Sequence, residues 1–174
     1  GAIEINSICF SYNKDEKDLI HNLNLNLIMG ESISISGDHS CGKTTLLKII
    51  AGLYSPNSGE VLINGVRANM YPPQELIKHL GYLAMDGVIF KGSLNDNLMA
   101  FGNNQETNVK QLTHLLGIDK ELAKLPSGYD TMLDGGSSDA IPPGLKQRIA
   151  IARVLAAKPK ILLFDNADRG LDKE

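Results

Sequence analysis

Apolar and polar residues alternate in two stretches of the first third of the chain. LNLNLI (23–28) places Leu at every second position, as a half-buried strand does, and SISIS (32–36) repeats the pattern after Gly30. Both are therefore expected to be strands. The period then lengthens. In TTLLKIIAGL (44–53), Leu46, Leu47, Ile49, Ile50 and Leu53 fall at helical spacing, with Gly52 near the end. SPNSG (55–59) reads as a turn, and EVLINGV (60–66) as a strand running into an Asn-Gly hairpin turn.

From about residue 72 to 140 the pattern differs. PPQELIKHL opens a helix with prolines at its head, and LGYLAM (80–85) is a short buried strand. SLNDNLM (93–99) and NVKQLTHLLG (108–117) read as helices, and DGGSSDAIPPG (134–144) as a flexible break. LKQRIAIARVLAA (145–157) is then an amphipathic helix closed by Pro159, and KILLFD (160–165) an apolar strand expected to be buried on both faces. Strands that alternate with helices predict an α/β core with parallel strands, interrupted by a mostly helical insertion.

Composition changes little in this picture. With 43% apolar and 21% charged residues, the 174-residue chain has the balance of a soluble globular protein. Its net charge of −3 argues against nucleic acid as the main partner. Cys9 and Cys41 lie far apart without metal-ligand spacing, which suits a reducing compartment. No apolar run reaches the roughly 18 residues of a membrane span.

The candidate chemistry starts at GDHSCGKTT (37–45), which satisfies G-x-x-x-x-G-K-[ST] between a predicted strand and a predicted helix. Gly37 and Gly42 let the backbone curl around an anion, so Asp38, His39, Ser40 and Cys41 lie in a phosphate-binding loop. The amides of 40 to 45 and the helix N-terminus would face a polyphosphate. Lys43 would reach the β- and γ-phosphates, Thr44 would take a position on Mg²⁺, and Thr45 would support the α-phosphate. His39 reads as an exposed turn residue, and Cys41 as a small residue in place of Ser. Asp165, at the end of the last apolar run, stands where such a fold holds the acid that orients Mg²⁺. As an alternative, it caps the next segment.

Several further segments occur in one order: FSY (10–12), FKGSLNDNL (90–98), LPSGYDT (125–131), QRIAIARVL (147–155) and LD (171–172). Together with the phosphate loop and Asp165, they resemble the nucleotide-binding domain of ATP-binding cassette (ABC) transporters, exporter type. The resemblance covers nearly the whole chain. It implies a P-loop NTPase core with parallel strands, an N-terminal antiparallel β part and a helical subdomain at about 86–145. It also implies that residues 1–174 form one such domain, with ATP and Mg²⁺ as cofactors and Tyr12 stacking on adenine. A second nucleotide-binding domain would pair head to tail with this one, in a homo- or heterodimer. A transmembrane domain would be contacted near 86–98 and 128–137, which places the chain on the cytoplasmic face of a membrane.

The chain departs from the family pattern at groups that act on the γ-phosphate. Met85 stands at the position of a Gln, and a thioether neither holds Mg²⁺ nor orients water as an amide does. Ile141, Pro142, Pro143, Gly144 and Leu145 replace the Leu-Ser-Gly-Gly-Gln signature. The hydroxyl is thereby lost, and neither proline has an N–H to offer. Asn166 stands at the catalytic glutamate, where an amide cannot accept a proton near neutral pH. Arg169-Gly170 replaces a Ser-Ala pair, and the stretch 131–141 is one residue longer than the exporter pattern. The family's downstream histidine and last strands have no counterpart before Glu174, so a longer parent chain is expected.

These features predict a cassette domain that holds Mg-ATP to power or regulate transport, with weak or absent hydrolysis of its own. A regulatory or scaffold module without turnover is the alternative, and a small-molecule kinase the remote one. The exporter-like segments lean towards a secretion system for peptides or proteins.

Overall fold

A computed structural model describes residues 2–13, 17–84, 87–136 and 141–166. Met85 and the segment 167–174, which contains Arg169-Gly170 and LD (171–172), lie outside the described residues. The chain divides into two compact units, residues 1–77 and 78–174.

The first unit holds an antiparallel sheet of β1 (Ile3–Phe10), β2 (Ile20–Leu27), β3 (Ser58–Ile63) and β4 (Val66–Arg67), in the order β2-β1-β3-β4. β1 has no uniform alternation, and the reason is a bulge. Ile3 and Ile5 are buried, then Ser7 adopts φ 49 and the register slips, so Ile8 and Phe10 turn inward instead. Gly59 of β3 sits against the bulge, where a Cβ would collide with the carbonyl oxygens of Asn6 and Ser7. β3 and β4 join through Asn64 (φ 50) and Gly65 (φ 81), the two left-handed residues of a tight hairpin turn. α1 (Lys43–Ile50) buries Leu46, Leu47, Ile49 and Ile50 of the predicted stripe, whereas Leu53 lies past the end of the helix and is exposed; α2 (Pro73–His79) starts at the second of its two prolines.

Two sequence expectations fail here. Residues 32–36 form no strand, and Ile33 is 48% exposed. The phosphate loop is thus reached from irregular chain rather than from a strand. Alternation decides which face a side chain takes, but a strand also needs a neighbour for its backbone bonds. β2 pairs with β1 in the same hairpin, whereas SISIS has no such local partner.

In the second unit β5 (Leu80–Leu83) pairs in parallel with β8 (Ile161–Phe164), Leu80 opposite Ile161. This is the parallel element predicted for the α/β core. β8 is not buried on both faces, however. Ile161 and Leu163 are buried, while Leu162 and Phe164 are exposed. An apolar run shows that a strand can be buried, and only the layers packed on it decide whether both faces are.

Around this pair lie β6 (Gly92–Ser93), α3 (Leu94–Leu98), α4 (Glu106–Leu115), α5 (Ile118–Leu122), β7 (Met132–Leu133) and α6 (Pro143–Ala156). Their core is one cluster in which Leu94, Leu98, Ile118 and Ile149 are fully buried. Each such side chain contributes about 1.5–3 kcal/mol. Ser93 opens α3 with a reciprocal capping box: its hydroxyl accepts the Asp96 N–H, and the Asp96 carboxylate accepts the Ser93 N–H. β6 and β7 form a two-residue antiparallel ladder, which no sequence pattern marked.

Candidate functional site

The phosphate loop curls through left-handed backbone at Ser40 (φ 64) and Gly42 (φ 98), and Gly42 starts α1 without a side-chain cap. A Cβ on Gly37 would lie 2.7 Å from the Cys41 sulfur, so the loop closes tightly. Lys43 is half-buried and folds over it. Its ammonium donates to the carbonyl oxygens of Gly37 (2.8 Å) and Asp38 (2.7 Å), with the Cys41 sulfur at 3.6 Å. Asp38, His39, Ser40, Cys41 and Thr44 are exposed, whereas Thr45 is buried. A glycine-bent loop, a helix N-terminus and a cation lie together here, a set of groups that would suit a polyphosphate.

Tyr12 lies beside this loop. Its hydroxyl is 2.7 Å from the Thr45 hydroxyl, while the residue remains 59% exposed. Phe10 meets Tyr12 edge-on at 5.2 Å and stacks on Tyr54 at 5.9 Å, and Lys48 lies over the Tyr54 ring. Phe10 and Tyr54 are supports that the sequence reading missed. Thr45 thus ties the aromatic residue to the helix that carries the phosphate loop.

In the second unit, Asp165 is buried at 7% exposure and accepts a 2.8 Å hydrogen bond from the Tyr82 hydroxyl. The parallel register that pairs Tyr82 with Leu163 brings them together, since Asp165 lies two residues further along the same face. Asn166 is exposed and adopts φ 50, a left-handed conformation that Asn tolerates better than most residues.

Pro142 and Pro143 form the head of α6, with no side-chain cap and with Ile141 and Leu145 buried on either side. Leu145 and Lys146 both donate to the Pro142 carbonyl oxygen. Gly144 is the first residue of α6 after the two prolines to bring a backbone N–H. Further along α6, Arg153 donates to the Val88 carbonyl oxygen at 2.7 Å and stacks 4.6 Å over the Phe90 ring. Burial lowers its pKa from the usual guanidinium value. Asn97, fully buried, pairs with both backbone groups of Phe90. Arg153 and Asn97 thus clamp segment 88–90. In the sequence Arg153 stood only as one residue of QRIAIARVL (147–155), with no role assigned to it.

The ABC transporter family profile matches residues 20–169. This chain belongs to that family. It is 37% identical over 175 residues to the α-hemolysin translocation ATP-binding protein HlyB of Proteus vulgaris, covering 100% of this chain and 25% of the relative. Similar values hold for a probable microcin-H47 secretion/processing ATP-binding protein of Escherichia coli: 32% over 177 residues, 99% of this chain and 25% of the relative. ABC transporter B family member 21 of Arabidopsis thaliana is 33% identical over 100% of this chain, which spans 14% of it. Among solved structures, a bacterial Atm1-family ABC exporter with ATP bound superimposes with a TM-score of 0.88 at 30% identity, covering 98% of this chain and 30% of the exporter. The chain thus spans a quarter or less of these curated relatives.

The mixed architecture, an antiparallel sheet with a separate parallel pair, is the expected one for an ABC domain. Nucleotide binding follows from family membership, and no helix among the described residues is long and apolar enough to cross a membrane.

Proposed function

We propose that this chain is the nucleotide-binding domain of an exporter- or secretion-type ABC transporter, holding ATP while contributing little hydrolysis itself. One observation carries the reading: the phosphate loop is complete, with left-handed Ser40 and Gly42 and the Lys43 ammonium seated on the Gly37 and Asp38 carbonyls. Bound ATP would draw Lys43 onto its β- and γ-phosphates, and adenine would stack on Tyr12. Thr44 and Asp165 carry the hard oxygen donors that suit Mg²⁺, which would neutralise phosphate charge when bound.

Turnover is a separate matter. An amide at Asn166 orients water but takes no proton from it, and the loss of a general base costs about 10²–10⁴ in rate. The proline-headed α6 supports a second reading, a regulatory or scaffold cassette with no turnover at all. In both readings the partners are a second nucleotide-binding domain and a transmembrane domain, and residues 1–174 work at the cytoplasmic face of a membrane. The helical subdomain at about 86–145 would provide the signature segment and the membrane-domain contact. The secretion, translocation and export roles for which the similar proteins are named support this assignment.

Thermal unfolding with and without Mg²⁺-ATP and Mg²⁺-ADP tests the binding half of the proposal. Ligand at a hundred times its Kd stabilises by about 2.7 kcal/mol, a rise of roughly 5–11 °C for a domain of this size. A rise with both nucleotides that disappears in Lys43→Ala supports the reading. The same temperature with and without nucleotide overturns it.

A further inference from the structure

Cys9, Asp18 and His21, three side chains with different ligand atoms, meet at the edge of the four-stranded sheet. The Cys9 sulfur, an Asp18 carboxylate oxygen and a His21 ring nitrogen all lie within 4.8 Å of one another. Sequence spacing gave no hint of this, because Cys9 reaches the other two across the β1–β2 pair. Ile8 pairs with Leu23 and Phe10 with Ile20, so the single residue Cys9 faces both His21 and Asn22. That bulge forces Asn22 to φ 46 and turns its N–H onto the Cys9 sulfur at 3.3 Å. A backbone N–H on a sulfur is the outer-shell contact that favours a thiolate ligand. The His21 Nδ1 to Asp18 Oδ2 distance is 3.4 Å. That is long for a hydrogen bond, and close to the edge of about 3.3 Å that two zinc ligands at about 2.0–2.1 Å span in a tetrahedron.

We propose that Cys9, Asp18 and His21 form a three-ligand site for a borderline divalent cation of the zinc class, with water as the fourth ligand. On binding, the Cys9 thiol releases its proton to solvent as the sulfur–metal bond forms. His21 binds as neutral imidazole and Asp18 as carboxylate. Thiolate and imidazole select zinc-class ions over Mg²⁺, so this site is separate from the nucleotide's own cation. Its position gives it a mechanical effect. Leu19 and Ile20, between two of the ligands, lie against Gly42 of the phosphate loop, and Phe10, next to the third, is stacked on Tyr54. A bound cation therefore ties the edge strand β2 to β1 directly behind the nucleotide loop.

Cobalt(II) is the probe, added to reduced, untagged protein, with absorption in the near ultraviolet as the readout. One equivalent is expected to produce a thiolate-to-cobalt charge-transfer band, and zinc(II) is expected to displace it. Cys41→Ser should keep the band, Cys9→Ser should lose it, and His21→Ala should weaken cobalt binding by about tenfold or more. His21 is exposed, so that variant folds whatever the outcome. Absence of the band in the parent protein, its survival in Cys9→Ser, or unchanged affinity in both His21→Ala and Asp18→Ala would overturn the proposal.

Discussion

The phosphate loop and the head of α6 are both helix N-termini, and they are built in opposite ways. α1 starts from Gly42, in a loop whose backbone is bent by Ser40 and Gly42 and crowned by Lys43. α6 starts from Pro142 and Pro143, with rings where N–H groups would stand. Both are anchored by buried apolar residues, Leu46 and Leu47 in one, Ile141 and Leu145 in the other. Both ends are therefore packed alike, while the proline rings leave the head of α6 fewer N–H groups to offer a ligand. A helix terminus can lose its ligand chemistry without losing its fold, because the two rest on different atoms.

The largest effect is expected outside both termini, at Asn166 after β8, and it tests whether the altered head of α6 limits turnover. In the full-length assembly, Asn166→Glu is expected to raise ATP turnover by about 10²-fold, near the lower end of what a general base supplies. Left-handed backbone at this position costs a glutamate on the order of 1 kcal/mol, and the altered signature is still present. A steady-state phosphate-release assay checks it, and unchanged turnover would place the block at the signature instead. The intact region is tested by Lys43→Ala, which should abolish the nucleotide-dependent stabilisation of about 2.7 kcal/mol described above. Calorimetry separates this from unfolding, since the unliganded midpoint should barely move.

Smaller effects sharpen the comparison. If Tyr12 is the base platform proposed above, Tyr12→Ala should weaken ATP by about 0.5–1.5 kcal/mol, read by competition with a fluorescent nucleotide, while inorganic triphosphate binds as before. Ser93→Ala, away from both regions, should cost about 1 kcal/mol of stability through the lost α3 cap. It should also change the acid limb of the stability curve. The Ser93 hydroxyl and N–H hold the Asp96 carboxyl below its usual value. That contribution is complete above the ordinary carboxylate pKa and disappears as pH falls through the lowered one. Denaturant titrations across this range should show a shallower acid loss in Ser93→Ala than in the parent protein.

Some of this was legible in the sequence because the interactions are local. The Asn64-Gly65 hairpin, the α1 stripe and the glycine-bent loop each depend on residues within a few positions of one another. Tyr12 and Asp165 were also visible, through motif order. Their partners were not. Thr45 is 33 residues from Tyr12, and Tyr82 is 83 residues from Asp165, and nothing in a linear pattern reports such meetings. β1 was hidden for another reason: its bulge at Ser7 reverses the alternation halfway along the strand.

The segments LNLNLI and SISIS show where the division falls. Their alternation is the same, yet one lies in β2 and the other pairs with no strand among the described residues. By itself the sequence determined the phosphate loop, the hairpin turn and the apolar faces, since backbone sterics and side-chain polarity act within a few residues. Which strands pair, how deeply β8 is buried, and what Asp165, Arg153 and Cys9 touch were decided by tertiary structure alone. A ladder or a buried hydrogen bond needs a second partner, and in a folded chain that partner comes from far along the sequence.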